Sequence, residues 1–262
     1  LTYYLTISAI MKNEGPYLRE WLEFHRLVGV EHFYIYDNNS TDNSREILDS
    51  YINQGLVTYT PWPDHPGQLK AYMHCLSHHK NDTFWIAFID LDEFIIPVVK
   101  DSLPEILREF EAFGALGVNW FLYGTSGHKT KPDGLQLENY IYHSRPDIKS
   151  NFHIKSIVNP RKIKSPCDPH CFRMLPGEVT VNENGEIVTS ALTKTNSTKK
   201  IRINHYFTRS TEESRLKMKR GRAPSKEKRP WRDFERLNKN DVLDRIADRF
   251  IPELKKRLHD RT

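Results

Sequence analysis

The sequence has 262 residues, 38% of them hydrophobic and 28% charged, a balance that suits a globular enzyme or binding protein with one sizeable α/β core. No stretch approaches the roughly 20 apolar residues that cross a bilayer, and no signal peptide is legible. The net charge of +5 comes from one segment near the C-terminus, the rest being slightly acidic, so the implied anionic partner is local.

From the N-terminus, short apolar runs alternate with segments of helical period, the signature of β-α-β units in a sheet. Leu5 to Ile10 reads as a first strand. Leu18, Trp21, Leu22, His25 and Val28 then recur at helical spacing, and Gly29 ends that helix. His32 to Tyr36 is a second strand, followed by the turn-rich Asp37-Asn38-Asn39-Ser40-Thr41-Asp42. Thr41 or Asp42 caps a helix that runs to about Asn53 and stops at Gly55. Leu56 to Tyr59 is a third strand and Gln68 to His79 a third helix. Phe84 to Ile89 is apolar throughout, as expected of a central strand buried on both faces, and ends in Asp90-Leu91-Asp92-Glu93-Phe94. A helix over about Leu103 to Phe113 and a strand over about Gly117 to Leu122 continue the pattern.

From Tyr123 to Thr198 the pattern breaks into Gly/Pro punctuation and short strands, expected to face a substrate. Ile201 to Asn204 is a short strand leading into His205-Tyr206. A cationic run follows, with Arg215, Lys217, Lys219, Arg220, Arg222, Lys226, Lys228, Arg229 and Arg232 against the single acid Glu227. Val242, Ile246, Phe250 and Leu254 mark a final amphipathic helix, with Pro252 as a kink.

Asp90 and Asp92 carry the strongest chemical signal. In an open sheet, ligands bind beyond the carboxyl ends of the strands. Two carboxylates spaced i, i+2 share a side of an extended chain and repel unless a cation neutralises them. A hard divalent ion with oxygen ligands, Mg²⁺ or Mn²⁺, answers that need, and would bridge to a diphosphate. Two solvated acids at a strand end is the plain alternative. Glu93 is expected in a salt bridge. Asp37 suits contact with a base or ribose, although the same residues make an Asx-turn. The imidazole of His205 can complete the coordination of a Mn²⁺-type ion. The Gly-containing stretch Lys219-Arg220-Gly221-Arg222 reads as a loop that folds over a diphosphate. Cys167-Asp168-Pro169-His170-Cys171 supplies one ligand pair where structural zinc needs two, so a closed zinc site is rejected. With Cys75 the cysteines number three, too few for a disulfide scaffold, which favours a reducing, cytoplasmic setting.

Together these segments resemble glycosyltransferase family 92 and its relatives among family 2-like enzymes of GT-A fold. The matching stretches are Met11 to Leu18 with Glu20-Trp21 and His25-Arg26, Tyr34 to Asp42, Gln68 with Ala71, and Asp90 to Phe94. Further on are Phe121 with Gly124 to His128, Lys155 to Val158, His170, and Asn204-His205-Tyr206. The resemblance covers about Leu5 to Arg222 and implies a GT-A fold, a UDP-sugar donor, Mn²⁺ dependence and inversion at the anomeric carbon. It implies that Asp37 contacts the uridine, Asp90 the ribose or a metal-bound water, and Asp92 and His205 the metal. Gln68 and Lys155 would line the donor pocket with Gly127, His128 and His170. Lys219 and Arg220 would hold the diphosphate, with Lys12, Asn13 and Glu14 beside the nucleotide. Of the acids in the irregular half, Asp133, Glu138, Asp147, Asp168 and Glu178, Glu138 best matches a family acid and is the expected general base.

The expected organisation is a GT-A domain over residues 1–222, with a nucleotide-sugar half to about 122 and an acceptor-side half over 123–208. A helical extension spans 223–262. The acceptor is expected to be a glycan, glycolipid or glycoprotein. The basic segment would make any contact with anionic membrane, and no specific nucleic acid is expected. One rival is a sugar-phosphate nucleotidyltransferase, which typically opens with a Gly-rich loop; here Met11-Lys12-Asn13-Glu14-Gly15 holds one glycine. The other is a non-enzymatic nucleic-acid binder using the basic run, which leaves the paired acids unexplained.

Overall fold

Alternation decides the first half of the molecule. In β1 (Tyr3–Met11) Leu5, Ile7, Ala9 and Met11 enter one core and Ile10 the other, so the strand is buried on both faces. α1 (Gly15–Leu27) carries Pro16 in its first turn and ends before Gly29, whose φ of +104° suits glycine and where a Cβ would meet Pro104 at 2.6 Å. β2 (His32–Asp37), α2 (Ser44–Asn53), β3 (Val57–Pro61), α3 (Gln68–His79) and β4 (Thr83–Phe88) follow. The four strands pair in parallel in the order β3-β2-β1-β4. The apolar run of β4 divides as expected of a central strand: Trp85, Ala87 and Ile89 face one core, Ile86 and Phe88 the other. The computed structural model describes residues 2–220 and 229–260. Gly221, Arg222, Lys226, Glu227 and Lys228 of the basic segment therefore lie outside the described residues.

Beyond the Asp90 turn the sheet becomes mixed. β5 (Glu93–Pro97), α4 (Leu103–Leu107) and β6 (Ala115–Leu122) lead into short elements: α5 (Gln136–Asn139), β7 (Tyr142–His143), β8 (Ile154–Val158), β9 (Ile163–Pro166), β10 (Phe172–Met174) and β11 (Thr180–Val181). β12 (Ile201–His205) returns to the sheet. β8 inserts antiparallel between β4 and β6, and β12 lies parallel to β6 and antiparallel to β5. Among the described residues the main sheet has nine strands in the order β3-β2-β1-β4-β8-β6-β12-β5, with β11 on β6. Two placements follow for the site: β8 brings Lys155 under the Asp90 turn, and the β12–β5 register sets His205 opposite Glu93.

The chain then forms α6 (Thr211–Arg220), α7 (Trp231–Leu237), β13 (Val242–Leu243) and α8 (Ile251–His259). Phe24 on α1 meets Phe94 at 5.3 Å and Phe250 at 5.6 Å, so the C-terminal segment shares the main core. Burying a side chain such as Phe24 stabilises by about 1.5–3 kcal/mol. None of the described helices is long and apolar enough to cross a membrane.

Two expected elements differ, and one strand was not expected. Leu103–Phe113 is a short helix continued by a 3₁₀ turn over Arg108–Phe110. The single helix read through Val242 and Leu254 is a strand, a 3₁₀ turn (Ile246–Phe250) and α8; Pro252 sits in the first turn of α8, where it has no N–H to lose, and does not kink it. β5 had no counterpart in the sequence reading. Its strand edge is held by α1: His25 Nε2 accepts from Ile95 N at 3.2 Å while Nδ1 donates to Trp21 O at 2.8 Å. Burial holds the His25 pKa down at about 3, so the ring stays neutral and keeps both bonds.

Candidate active site

A cavity of about 490 Å³ opens at the carboxyl ends of β1 and β4 and is walled on its far side by β6, β12 and the irregular half. Asp90 and Asp92 line it, but on a tight turn between β4 and β5, where i, i+2 alternation of an extended strand does not apply. Side-chain bonds orient them instead. Asp90 Oδ1 accepts from Gln68 Nε2 at 2.8 Å and Oδ2 from Lys155 Nζ at 2.8 Å. Burial favours the neutral acid, yet the Lys155 ammonium prevails and holds the Asp90 pKa low. Glu93 makes the expected salt bridge, its Oε2 lying 3.5 Å from Lys155 Nζ, and also accepts from Asp90 N at 2.8 Å. Complete burial raises the Glu93 pKa well above the usual carboxylate range.

Asp92 faces cations. Lys217 Nζ on α6 donates to its Oδ2 and to Phe207 O, the latter at 2.8 Å. His205 Nε2 lies 3.6 Å from the same Oδ2. Against the cost of burial, Lys217 and His205 hold the Asp92 pKa well below its ordinary value. Burial lowers the His205 pKa, which favours a neutral imidazole. Behind that ring, His205 Nδ1 and Glu93 Oε1 are buried, lack hydrogen-bond partners and stand 3.7 Å apart. Among the described residues, no three His, Cys, Asp or Glu side chains gather at metal-binding spacing. Asp92 and His205 face one another in the lining.

The first loop forms another wall. Glu14 accepts from Arg209 Nη1 at 2.9 Å and from Arg220 Nη2 at 2.9 Å, and Arg220 also donates to Lys12 O. Lys12, Glu14 and Arg220 line the cavity, as do Arg229 and Arg236. Phe207 is sandwiched by cations, with Lys217 Nζ at 4.1 Å and Arg229 at 5.0 Å from its ring centre. Elsewhere in the lining, Trp120 stacks on His153 at 5.3 Å, meets His170 edge-on at 5.5 Å and His205 at 4.7 Å.

Gln68, Asp90, Asp92, Lys155, His170 and His205 are thus brought together. Several other expected residues are not. Glu138 lies away from the lining, its carboxylate paired with Lys255 at 2.5 Å and accepting from Leu135 N. Gly127 and His128 form a turn outside the cavity; Gly127 has φ +84°, and His128 bonds Asn139 O at 3.1 Å. Asp37 takes the Asx-turn alternative, accepting from Ser40 N and Tyr59 OH, and is not in the lining. Asn13 braces the neighbouring loop by accepting from Thr41 N at 2.7 Å. Lys219 points out from α6, an exposed residue. Residues up to Arg220 are helical, so Lys217 and Arg220, spaced i, i+3, share the inward face and Lys217 occupies the place expected of Lys219. Helical period applied to the basic run would have found it. Trp120 and His153 carried no signal, since an aromatic residue in a strand reads as core.

The family model of glycosyltransferase family 92 matches residues 7–253. Similar chains include a glycosyltransferase family 92 protein of Oryza sativa subsp. japonica, 30% identical over 49% of this chain and 23% of that protein. A beta-1,4-galactosyltransferase of Caenorhabditis elegans is 26% identical over 70% of this chain and 46% of its own length. Among solved structures, S. aureus TarS 1-349 in complex with UDP aligns at 15% identity and TM-score 0.41, covering 60% of this chain and 47% of that one. The chain therefore spans less than half the length of these relatives.

Proposed function

The chain belongs to glycosyltransferase family 92 and has its GT-A fold, and from that premise we propose that it transfers a hexose, galactose or glucose, from a UDP-sugar to a glycan acceptor with inversion. One observation carries the reading: a single cavity sets Asp90, Asp92 and His205 against Lys217, Arg220 and Arg229, the opposed charges that a metal-bridged diphosphate requires. The C. elegans relative is named a galactosyltransferase, which favours galactose.

Asp92 and His205 would hold Mn²⁺ or Mg²⁺, with diphosphate oxygens completing the shell. The fit rests on a carboxylate oxygen and an imidazole nitrogen facing one cavity, and on the unpartnered Glu93 Oε1 behind His205 Nδ1, where a carboxylate orients a metal-bound histidine. Bound there, the metal would neutralise charge developing on the departing UDP. Lys217, released from Asp92, and Arg220 would take the remaining phosphate charge. Lys155 and Gln68 keep Asp90 ionised and aimed at the donor. Trp120, His153 and His170 would bound the sugar. Direct displacement at the anomeric carbon then inverts it.

Thermal-shift screening of UDP-galactose, UDP-glucose and UDP, with and without Mn²⁺, tests the proposal. Stabilisation that needs both metal and nucleotide is expected. No shift with any of them, or release of pyrophosphate from UTP and sugar phosphate, would replace it with the nucleotidyltransferase reading.

A further inference from the structure

With Glu138 removed from the cavity, the group that deprotonates the acceptor must be sought among the lining side chains. The four acids in the described lining are engaged. Glu14 is held by two arginines, Asp90 by Gln68 and Lys155, and Asp92 by Lys217. Glu93 lies beneath the turn, its Oε2 accepting from Asp90 N and its pKa raised by burial. An inverting displacement needs a base with a free lone pair at the acceptor hydroxyl.

His170 also lines the cavity. It closes the β9–β10 hairpin, in which Cys167 N donates to Cys171 O at 3.0 Å and the two sulfurs approach to 3.2 Å. Three further ties fix the residue: its N–H donates to Asp168 Oδ1 at 2.7 Å, its carbonyl accepts from Ser156 Oγ at 2.6 Å, and its ring Nδ1 meets Ile154 O at 3.0 Å. A carbonyl oxygen only accepts, so Nδ1 carries the proton and Nε2 keeps its lone pair. Nε2 has no hydrogen-bond partner among the described residues and is not among the sealed buried atoms, so it opens to the cavity. Burial, with Lys155 nearby, holds the pKa at about 4, leaving a neutral ring at physiological pH.

We propose that His170 is the general base, its Nε2 taking the proton of the attacking hydroxyl. As the acceptor oxygen bonds the anomeric carbon, the bond from that carbon to the diphosphate oxygen breaks, UDP leaves with the electron pair, and the hydroxyl proton ends on His170 as imidazolium. This rests on the nucleotide-sugar reading of the cavity.

The test reads UDP release with water as acceptor, from whichever of UDP-galactose and UDP-glucose the wild type turns over faster. His170→Asn keeps an N–H near the Nδ1 position for Ile154 O but lacks Nε2. It is expected to lose about 10²-fold or more in turnover while UDP affinity changes little. His170→Gly should regain turnover on adding 4-methylimidazole. Wild-type turnover in His170→Asn, equal losses of turnover and UDP affinity, or a loss carried by His153→Asn in place of His170→Asn would overturn the assignment. A wild type that binds no UDP-sugar would overturn the underlying reading as well.

Discussion

The two walls of the cavity use their polar atoms differently. On the sheet wall, both oxygens of Asp90 are bonded, both oxygens of Glu14 meet guanidinium groups, and Asp92 is paired with Lys217. Where rings line the cavity, Trp120 donates to Ser150 O, and His153 and His170 each bond a backbone carbonyl through Nδ1, which ties one edge of every ring. Charge is fixed in advance where a diphosphate would present the same charge in every turnover. Rings stand where a sugar and its acceptor would have to be told apart. A buried, tied wall also tolerates little change, whereas an open ring can be exchanged.

The largest break in this contrast should come from Asp92→Asn. Turnover should fall roughly 10²–10³-fold, far more than the loss of stability from unpairing Lys217 would explain. A variant that hydrolyses UDP-sugar at the wild-type rate would show that the sheet wall is not catalytic. Asp244→Asn should do the reverse. Asp244 accepts from Arg202 and, at 2.9 Å, from Tyr123 OH behind the sheet, so an uncompensated Arg202 should cost about 3–5 kcal/mol in denaturant unfolding. Burial opposes ionisation of Asp244, but His143 and Arg202 hold its folded pKa below the usual carboxylate value of about 3.9. Its stabilisation is therefore complete above that value and is lost as pH falls through the folded one, so the variant's stability should vary less over that acid range. A wild-type midpoint for the variant would remove the pair from the account of stability.

Lys217→Met and Lys219→Met sharpen the contrast within one helix. The first should weaken UDP binding by about tenfold, the scale of one charge-assisted contact, and the second by less than about twofold, as calorimetry can resolve. Equal effects would put the inward face of α6 in the wrong place. The smallest effect belongs to Glu138→Gln, which should leave turnover within about twofold because its partner is Lys255, outside the cavity. A large loss of turnover there would restore Glu138 to the reaction.

Much of the sheet wall was legible in the sequence because its strands are buried on both faces and its helices end at glycines. Leu5 to Ile10, His32 to Tyr36 and Phe84 to Ile89 had one reading each, and Asp90 with Asp92 followed from their place beyond a buried strand. β5 escaped because its first residue, Glu93, reads as the tail of an acidic motif, and its edge is satisfied by His25, 70 residues away. The ring-lined part of the cavity was hidden for a related reason. His153 and His170 reach the cavity only because β8 inserts between β4 and β6, and a long-range strand order leaves no local period. Glu138 lies outside the lining because order along the chain does not say which way a side chain faces.

Calorimetric titration of UDP into the wild type and Asp92→Asn, each with and without Mn²⁺, bears most directly on a metal-bridged diphosphate between Asp92, His205 and the α6 cations. Mn²⁺ should strengthen UDP binding at least about tenfold in the wild type, a change of about 1.4 kcal/mol, and by almost nothing in Asp92→Asn. Identical UDP affinity in all four titrations would contradict it.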